Sequence, residues 1–411
     1  MNTSVSIAVL ATGLTAIPVH SLAANRLTLT GKVTDAAGKS LDHATVMVYH
    51  AGVKQGYSTF CPSCYSDCGK RTLTDAAGNF TIRSLSPDLH FELLIVHDGY
   101  LPTFVTKVDP AKPAPTAALK PREAVTDPRR VLRGLVVDAH HRPIRDAVVQ
   151  PQGILGETPN GRGSIYGSIA GLDPVAVTND KGEFELAHAK PFDAMVLQVE
   201  ARGMASKIFT SLASGTERHT LAVTEGATIR GRLLQSGKPV PNAEVGLIAR
   251  KHGWGANLVL VGYPLPETRV GTNNDGTFAI TNVPPAVDWY LYGKMESVAA
   301  RGGAPIIECT TKSDGEEVDV GDLSIMAAFH LRGRVVLSDA KPMPAGMRVT
   351  VGSDRAFDSQ TTLLSSDGAF EFSGLAKGSY TISASVKGYP GSMPLKLEND
   401  ASDFVMTLDP Q

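Results

Sequence analysis

The stretch Thr74-Asp75-Ala76-Ala77-Gly78-Asn79-Phe80 decides how this chain folds, because its pattern returns three more times. It comes back as Thr178-Asn179-Asp180-Lys181-Gly182-Glu183-Phe184, then as Asn273-Asn274-Asp275-Gly276-Thr277-Phe278, and last as Ser365-Ser366-Asp367-Gly368-Ala369-Phe370. In each copy a polar tight turn, with Gly placed for positive φ, delivers an alternating apolar run led by Phe, which is how a β-hairpin corner reads in sequence. A second landmark precedes it each time: Gly31-Lys32-Val33-Thr34-Asp35, Gly134-Leu135-Val136-Val137-Asp138, Gly231-Arg232-Leu233-Leu234 and Gly333-Arg334-Val335-Val336. The two landmarks recur together about every 95–100 residues, and a period of this kind takes precedence over any other reading. The chain is four copies of one β-domain.

Composition agrees. A chain of 411 residues divides naturally into several domains of ordinary size. Its 40 Gly and 26 Pro are spread along the length, and 42 % hydrophobic residues suffice for cores, so turn-rich β structure is expected rather than disorder. A net charge of −2 with 19 % charged residues speaks against nucleic acid as a partner and against an acidic or basic tail.

The boundaries fall at 1–24 for a secretory signal peptide, then 25–125, 126–225, 226–327 and 328–411 for four β-sandwiches. Val5 to Val19 is apolar but too short to span a bilayer, and Ser21-Leu22-Ala23-Ala24 offers small residues for cleavage. The mature chain is expected to be secreted or periplasmic, with no membrane span. Within repeat one, Asp109 to Pro121 is rich in Pro and Ala and reads as a semi-rigid linker. Seven or so short strands per copy argue for an Ig-like sandwich, and short connections argue for an elongated array of all-β domains. The distance from second strand to turn Gly is about 17 residues in repeat four but about 30 in the others, so repeats one to three carry an extra loop at one corner. Loops on a rigid scaffold are where binding usually sits.

The pattern resembles the carboxypeptidase regulatory-like domains, which are transthyretin-like sandwiches also related to collagen-adhesin B-type repeats. The opening Gly-x-Val-x-Asp (Gly31, Val33, Asp35; Gly134, Val136, Asp138), the downstream Asp-x-x-Gly-x-Phe and the exit Gly-Tyr (Gly99, Tyr100; Gly388, Tyr389) carry the resemblance. Repeat three lacks a clear exit, and repeats three and four lack the first Asp. The resemblance implies a fold shared by accessory, adhesive and carbohydrate-binding-like modules. It also implies a bacterial source.

Cys61, Cys64 and Cys68 form the sharpest local feature. With Cys309 they make an even number in a chain expected to be exported, so two disulfides of unassigned pairing are the first reading. The alternatives are a redox-active Cys61/Cys64 pair, or a metal held by the three thiolates with His50 or Cys309 as fourth ligand. In the second insert, the Gly-rich run from Gly153 to Gly171 presents Tyr166 as a candidate contact. In the third, Trp254 with Tyr263 could stack on a sugar ring, although total aromatic content is only 6 %. His140-His141 sits in a turn, where neighbouring side chains diverge. No His-x-x-Glu or His-Glu-x-x-His sequence is present, Ser164 and Ser168 build no Gly-x-Ser-x-Gly elbow, and Gly231 to Lys238 fails the phosphate-loop spacing. The expected protein is therefore a cofactor-free, non-enzymatic monomer that recognises a protein or glycan at the cell envelope through its inserts.

Overall fold

The computed structural model describes residues 26–113, 116–158, 161–167, 169–250, 268–304, 306–356 and 358–411. The expected signal peptide lies outside the described residues. In the first repeat the strands are β1 (Leu27–Asp35), β2 (Thr45–Val53), β3 (Arg71–Leu73), β4 (Asn79–Leu85), β5 (Leu89–Val96), β6 (Thr103–Val108) and β7 (Thr116–Leu119). They form two sheets, in the orders β4-β1-β7 and β3-β2-β5-β6. Leu29, Val33, Phe80 and Ile82 of one sheet face Val46, Val48, Phe91, Leu93 and Ile95 of the other across a single core. This is the two-residue alternation expected of strands buried on one face.

The other three repeats rebuild the plan. Their first strands, Val131–Val137, Ala227–Gln235 and Phe329–Leu337, each lie between an antiparallel strand that follows the turn motif and a parallel strand that closes the repeat. The chain is thus nearly all β, four sandwiches in tandem. In repeat one the closing strand is β7, parallel to β1, with Ala117 and Leu119 buried. The segment read as a Pro- and Ala-rich linker therefore contains the last strand of the sandwich. Its alternation places Ala117 and Leu119 in the core, and composition alone hid it.

The two landmarks recur together because they touch. Gly31, Gly134, Gly231 and Gly333 stand directly opposite Phe80, Phe184, Phe278 and Phe370 in the antiparallel ladders. A Cβ on Gly134, Gly231 or Gly333 would lie 2.5, 2.7 or 2.8 Å from a ring carbon of the opposite Phe, so the ring covers the bare backbone. The turn Gly is constrained as well. In all four copies its carbonyl accepts a hydrogen bond from the first strand, at Val33, Val136, Leu233 and Val335 (2.8, 2.9, 2.8 and 2.9 Å). Just before the turn, buried Thr74, Thr178 and Thr272 each accept a backbone N–H (Ala44, Ala147, Ala243) and donate to a carbonyl (Leu41, Ile144, Val240). Repeat four has Leu364 at this place, which exchanges the polar clasp for apolar burial.

The sandwiches pack in pairs. Met47, Leu94 and Val96 on the outer face of the first four-stranded sheet bury against Val148 and Val175 of the second sandwich. Ile248 and Tyr292 of the third do the same against Ala356 of the fourth. Where repeat three lacks the Gly-Tyr exit, a one-turn helix, Met295–Val298, sends Met295 into the core of the fourth sandwich. Burial of such a side chain contributes about 1.5–3 kcal/mol. A buried Lys294–Asp358 ion pair (2.9 Å) flanks it.

The chain also doubles back. Tyr57 in the insert of repeat one packs against the fourth core. Its N–H donates to Gly346 O (3.1 Å), Arg348 donates to Tyr57 O (3.1 Å), and Thr59 bonds Ser385 Oγ through both its N–H (3.1 Å) and its hydroxyl (2.8 Å). The array is tandem as expected but is not extended end to end: the first sandwich reaches the fourth through this latch.

Candidate functional site

The cysteine insert is moored before it is displayed. Ala51 N–H donates to Pro62 O (2.8 Å) and Gly69 N–H to Val48 O (2.8 Å), which tie the loop to β2. Asp67, fully buried, accepts hydrogen bonds from Arg26, from Lys70 (2.7 Å) and from the Ser86 N–H (2.9 Å). Tyr65 and Cys68 rest on the first core. No sulfur–sulfur bond joins any two of the four cysteines in this structure. Cys61 to Cys64 is a tight turn, closed by Cys64 N–H to Cys61 O (3.0 Å), and Cys61 Sγ lies 3.2 Å from the Ser63 hydroxyl.

The thiols differ in character. Burial pushes Cys61 up, but hydrogen bonds from the Cys64 thiol, the Ser63 hydroxyl and the two adjacent amides outweigh it, leaving Cys61 below the ordinary thiol range. Burial pushes Cys64 and Cys68 up to about 12 each, and for Cys64 the neighbouring Cys61 adds to it. Cys309 belongs to another place, the strand Ile306–Thr311 of the third sandwich, opposite Trp289, where burial pushes it up to about 11. Among the described residues no three His, Cys, Asp or Glu side chains converge so as to hold a metal. His50, the fourth ligand considered for the thiolates, instead has Nδ1 2.8 Å from Glu92 Oε2.

That pair opens onto a cleft of about 290 Å³ between the first and second sandwiches. One wall is Tyr49, His50, Glu92 and Phe104. Tyr49 and His50 are consecutive and would point to opposite faces of a regular strand. A register shift in β2 between Val48 and His50 is a bulge that brings both rings to one side, 4.4 Å apart. Phe104 meets Tyr49 edge-on at 5.3 Å. Burial, and secondarily the Glu92 charge, hold the Tyr49 phenol above its usual range.

The opposite wall is the second insert. It is not the loop its glycines suggested: Val148–Thr158 and Gly161–Tyr166 form a hairpin arm, after which Ile169 to Pro174 returns along the cleft. Asp173 fixes that return, accepting two hydrogen bonds from Arg122 (2.8 and 3.0 Å) and one from the Ala187 N–H (2.8 Å). Tyr166 packs across the hairpin on Gly153, where an added Cβ would come within 2.6 Å of its ring. Among the described residues lining the cleft there is no Ser, Thr, Cys or Lys. Rings, an imidazole and carboxylates suit it to hold a ligand by stacking and hydrogen bonding.

The remaining candidates fall elsewhere. Trp254 and Tyr263 lie outside the described residues, as does Ser168. His140 and His141 form the turn expected of them, with Asp138 accepting the His140 and Arg142 amides (2.8 and 2.9 Å). Ser164 sits in the hairpin arm.

The class follows from topology and landmarks together: tandem β-sandwiches whose first strand is shared between an antiparallel and a parallel neighbour. Residues 28–119 match the family of carboxypeptidase regulatory-like domains. Residues 326–394 match the second beta sandwich domain of the BOS complex subunit NOMO1-like proteins. The chain therefore carries a carboxypeptidase regulatory-like domain at its start and a related sandwich near its end, and such domains are non-catalytic folds. No curated protein matches. Among solved structures, the Bacillus anthracis TIE protein is similar over 94 % of this chain and 75 % of its own, at 10 % identity and a TM-score of 0.20. The minor pilin GBS52 of Streptococcus agalactiae covers 45 % of this chain with 97 % of its own, at 13 % identity and 0.25. A streptococcal ancillary pilin covers 68 % with 99 % of its own, at 11 % and 0.22. Among the described residues no helix is long and apolar enough to cross a membrane.

Proposed function

We propose that this chain is an exported, non-catalytic structural protein of the bacterial cell envelope that holds a protein or glycan partner in the cleft between its first two sandwiches. The observation that carries the reading is the bulge in β2. It places Tyr49 and His50 on one wall, with Phe104 and Glu92 beside them and the ordered return of the second insert opposite. Two sandwiches contribute to the cleft, so a tandem chain has it where a single domain would not. The apolar floor of Met47, Leu94, Val148 and Val175 keeps the walls in register. The same loop positions that serve display in many scaffolds are here turned inward, one as wall and one as latch.

The test is site-specific photo-crosslinking in cell envelopes. A photoreactive residue at 104 should give a discrete adduct, lost when Glu92→Gln and Tyr49→Ala are added. The same residue at 405, on the exposed edge of the fourth sandwich, should not give it. Identical adducts from both positions, or none from 104, would refute the cleft as the binding site.

A further inference from the structure

Beyond that reading, and at a different place, we propose that Cys61 and Cys64 are a reversible thiol–disulfide exchange couple, with Cys61 as the attacking sulfur and Cys64 as the resolving one. Three observations carry it. The turn from Cys61 to Cys64 is already closed by a main-chain hydrogen bond, which keeps its end Cα atoms within about 7 Å. A disulfide needs about 4.4–6.8 Å. Next, the Ser63 hydroxyl lies 3.2 Å from Cys61 Sγ, a setting that favours the anionic sulfur. Finally, the Cys68 thiol packs over the first core and donates to Pro62 O (3.3 Å), a carbonyl of the same turn, rather than to Cys61 or Cys64 Sγ. The turn itself is tied to β2 through the Ala51 N–H to Pro62 O bond (2.8 Å). The contrast in thiol character points the same way: Cys61 is lowered whereas Cys64 is pushed up to about 12.

The substrate class is a disulfide, RS–SR′. The Cys61 thiolate attacks one sulfur, forming a Cys61–SR bond and expelling R′S⁻. Cys64 gives up its proton and attacks Cys61 Sγ, forming the Cys61–Cys64 bond and releasing RS⁻. Counted from the dithiol, the chain loses two electrons and two protons, one on ionisation of Cys61 and one from Cys64, and these protonate RS⁻ and R′S⁻ to two thiols. Exchange proceeds through the mixed disulfide, so removing the resolving sulfur should trap it.

The experiment uses the full chain with glutathione disulfide as probe and peptide-level mass spectrometry as readout. Wild type should form a Cys61–Cys64 bond that excess reduced glutathione reopens. Cys64→Ser should accumulate glutathione on Cys61, Cys61→Ser should leave Cys64 unmodified, and Cys68→Ser should behave as wild type, which controls for folding. Three results would overturn the proposal. One is an adduct centred on Cys68 or Cys309, and another is no adduct at all. The third is a Cys61–Cys64 bond that reduced glutathione does not open, which would make it a structural staple.

Discussion

Two glycines of the second sandwich isolate what the recurrent turn demands. Gly182 and Gly203 have nearly the same left-handed backbone, φ +73° and +74°, but different surroundings. A Cβ at 203 meets nothing within 4 Å, whereas at 182 it would lie 2.6 Å from Val136 O and 3.2 Å from Ile144 N. Alanine at either position incurs the left-handed penalty of about 1–2 kcal/mol. At 182 the backbone must also retreat from the first strand, which breaks the 2.9 Å bond from Val136 N–H to Gly182 O. Losing a buried bond and stranding its donor costs a further 1–3 kcal/mol or so. Gly182→Ala should thus be worse than Gly203→Ala by about 1–3 kcal/mol. Four coupled sandwiches need not unfold in one step, so the difference is best read locally, by native-state hydrogen exchange at the Val136 amide. Exchange there should quicken on the order of tenfold to a hundredfold more in Gly182→Ala than in Gly203→Ala. Equal rates in the two variants would show that the turn needs only the positive φ and not the close approach.

Thr178→Val should destabilise the second sandwich by about 1–3 kcal/mol, because it leaves the Ala147 N–H and Ile144 carbonyl without the hydroxyl that serves both; local exchange at Ala147 reports it. Lys294→Ala should loosen the third sandwich from the fourth by roughly 3–5 kcal/mol, since it removes the cation beside buried Asp358, and thermal unfolding should show the fourth sandwich melting earlier. The Asp75 carboxyl is held below its usual range, chiefly by the Asn79 amide and then by the Asn79 side chain and the Ala77 amide. Its contribution is present above the unfolded value of about 3.9 and is lost as pH falls through the lower folded value. Protection of the Ala77 and Asn79 amides, taken relative to their intrinsic exchange rates, should therefore fall in acid, and that dependence should vanish in Asp75→Asn, because Asn179 already holds the equivalent turn through Lys181 and Glu183 amides without titrating. Tyr57→Ala combined with Ser385→Ala should open the latch between first and fourth sandwiches, seen as a larger radius of gyration by small-angle scattering.

What the sequence made legible was whatever is enforced locally. The Gly of one landmark and the Phe of the next are 37 to 50 residues apart, but each is required by its own strand, so repetition exposed both. The turn, its positive φ and the His140-His141 corner are local for the same reason. β7 escaped because it is four residues long, with Ala117 and Leu119 its only buried positions, in a Pro-rich setting, and its partner β1 lies at the other end of the repeat. The cleft escaped because reading Tyr49 and His50 as regular strand sends them apart, and only the shift in pairing with β5 reunites them. A signal did exist for the pairing of sandwiches. The runs Thr45–Val48 and Leu93–Val96 are apolar on both faces, and a strand that needs no polar side is covered twice.

The joins between sandwiches differ in kind, and the difference separates the two sites. The first and second are joined through a buried apolar floor, flanked by Arg71–Glu200 and Arg122–Asp173. The third and fourth are joined through Met295 and a buried ion pair. Between second and third, the Asn282 side chain donates to Gly203 O and Glu225 O (2.8 Å each). The latch from first to fourth rests on one inserted ring and a few hydrogen bonds. Apolar burial grows with area, whereas a single hydrogen bond nets about 1 kcal/mol, so the latch should release before either pair separates. The cleft lies inside a pair and the cysteine turn lies beside the latch, where Phe60 meets Tyr65 edge-on at 5.0 Å and Tyr65 reaches Ser58 (3.2 Å), next to Thr59. Changes at the insert can therefore shift the fourth sandwich while the walls that face a ligand stay in place.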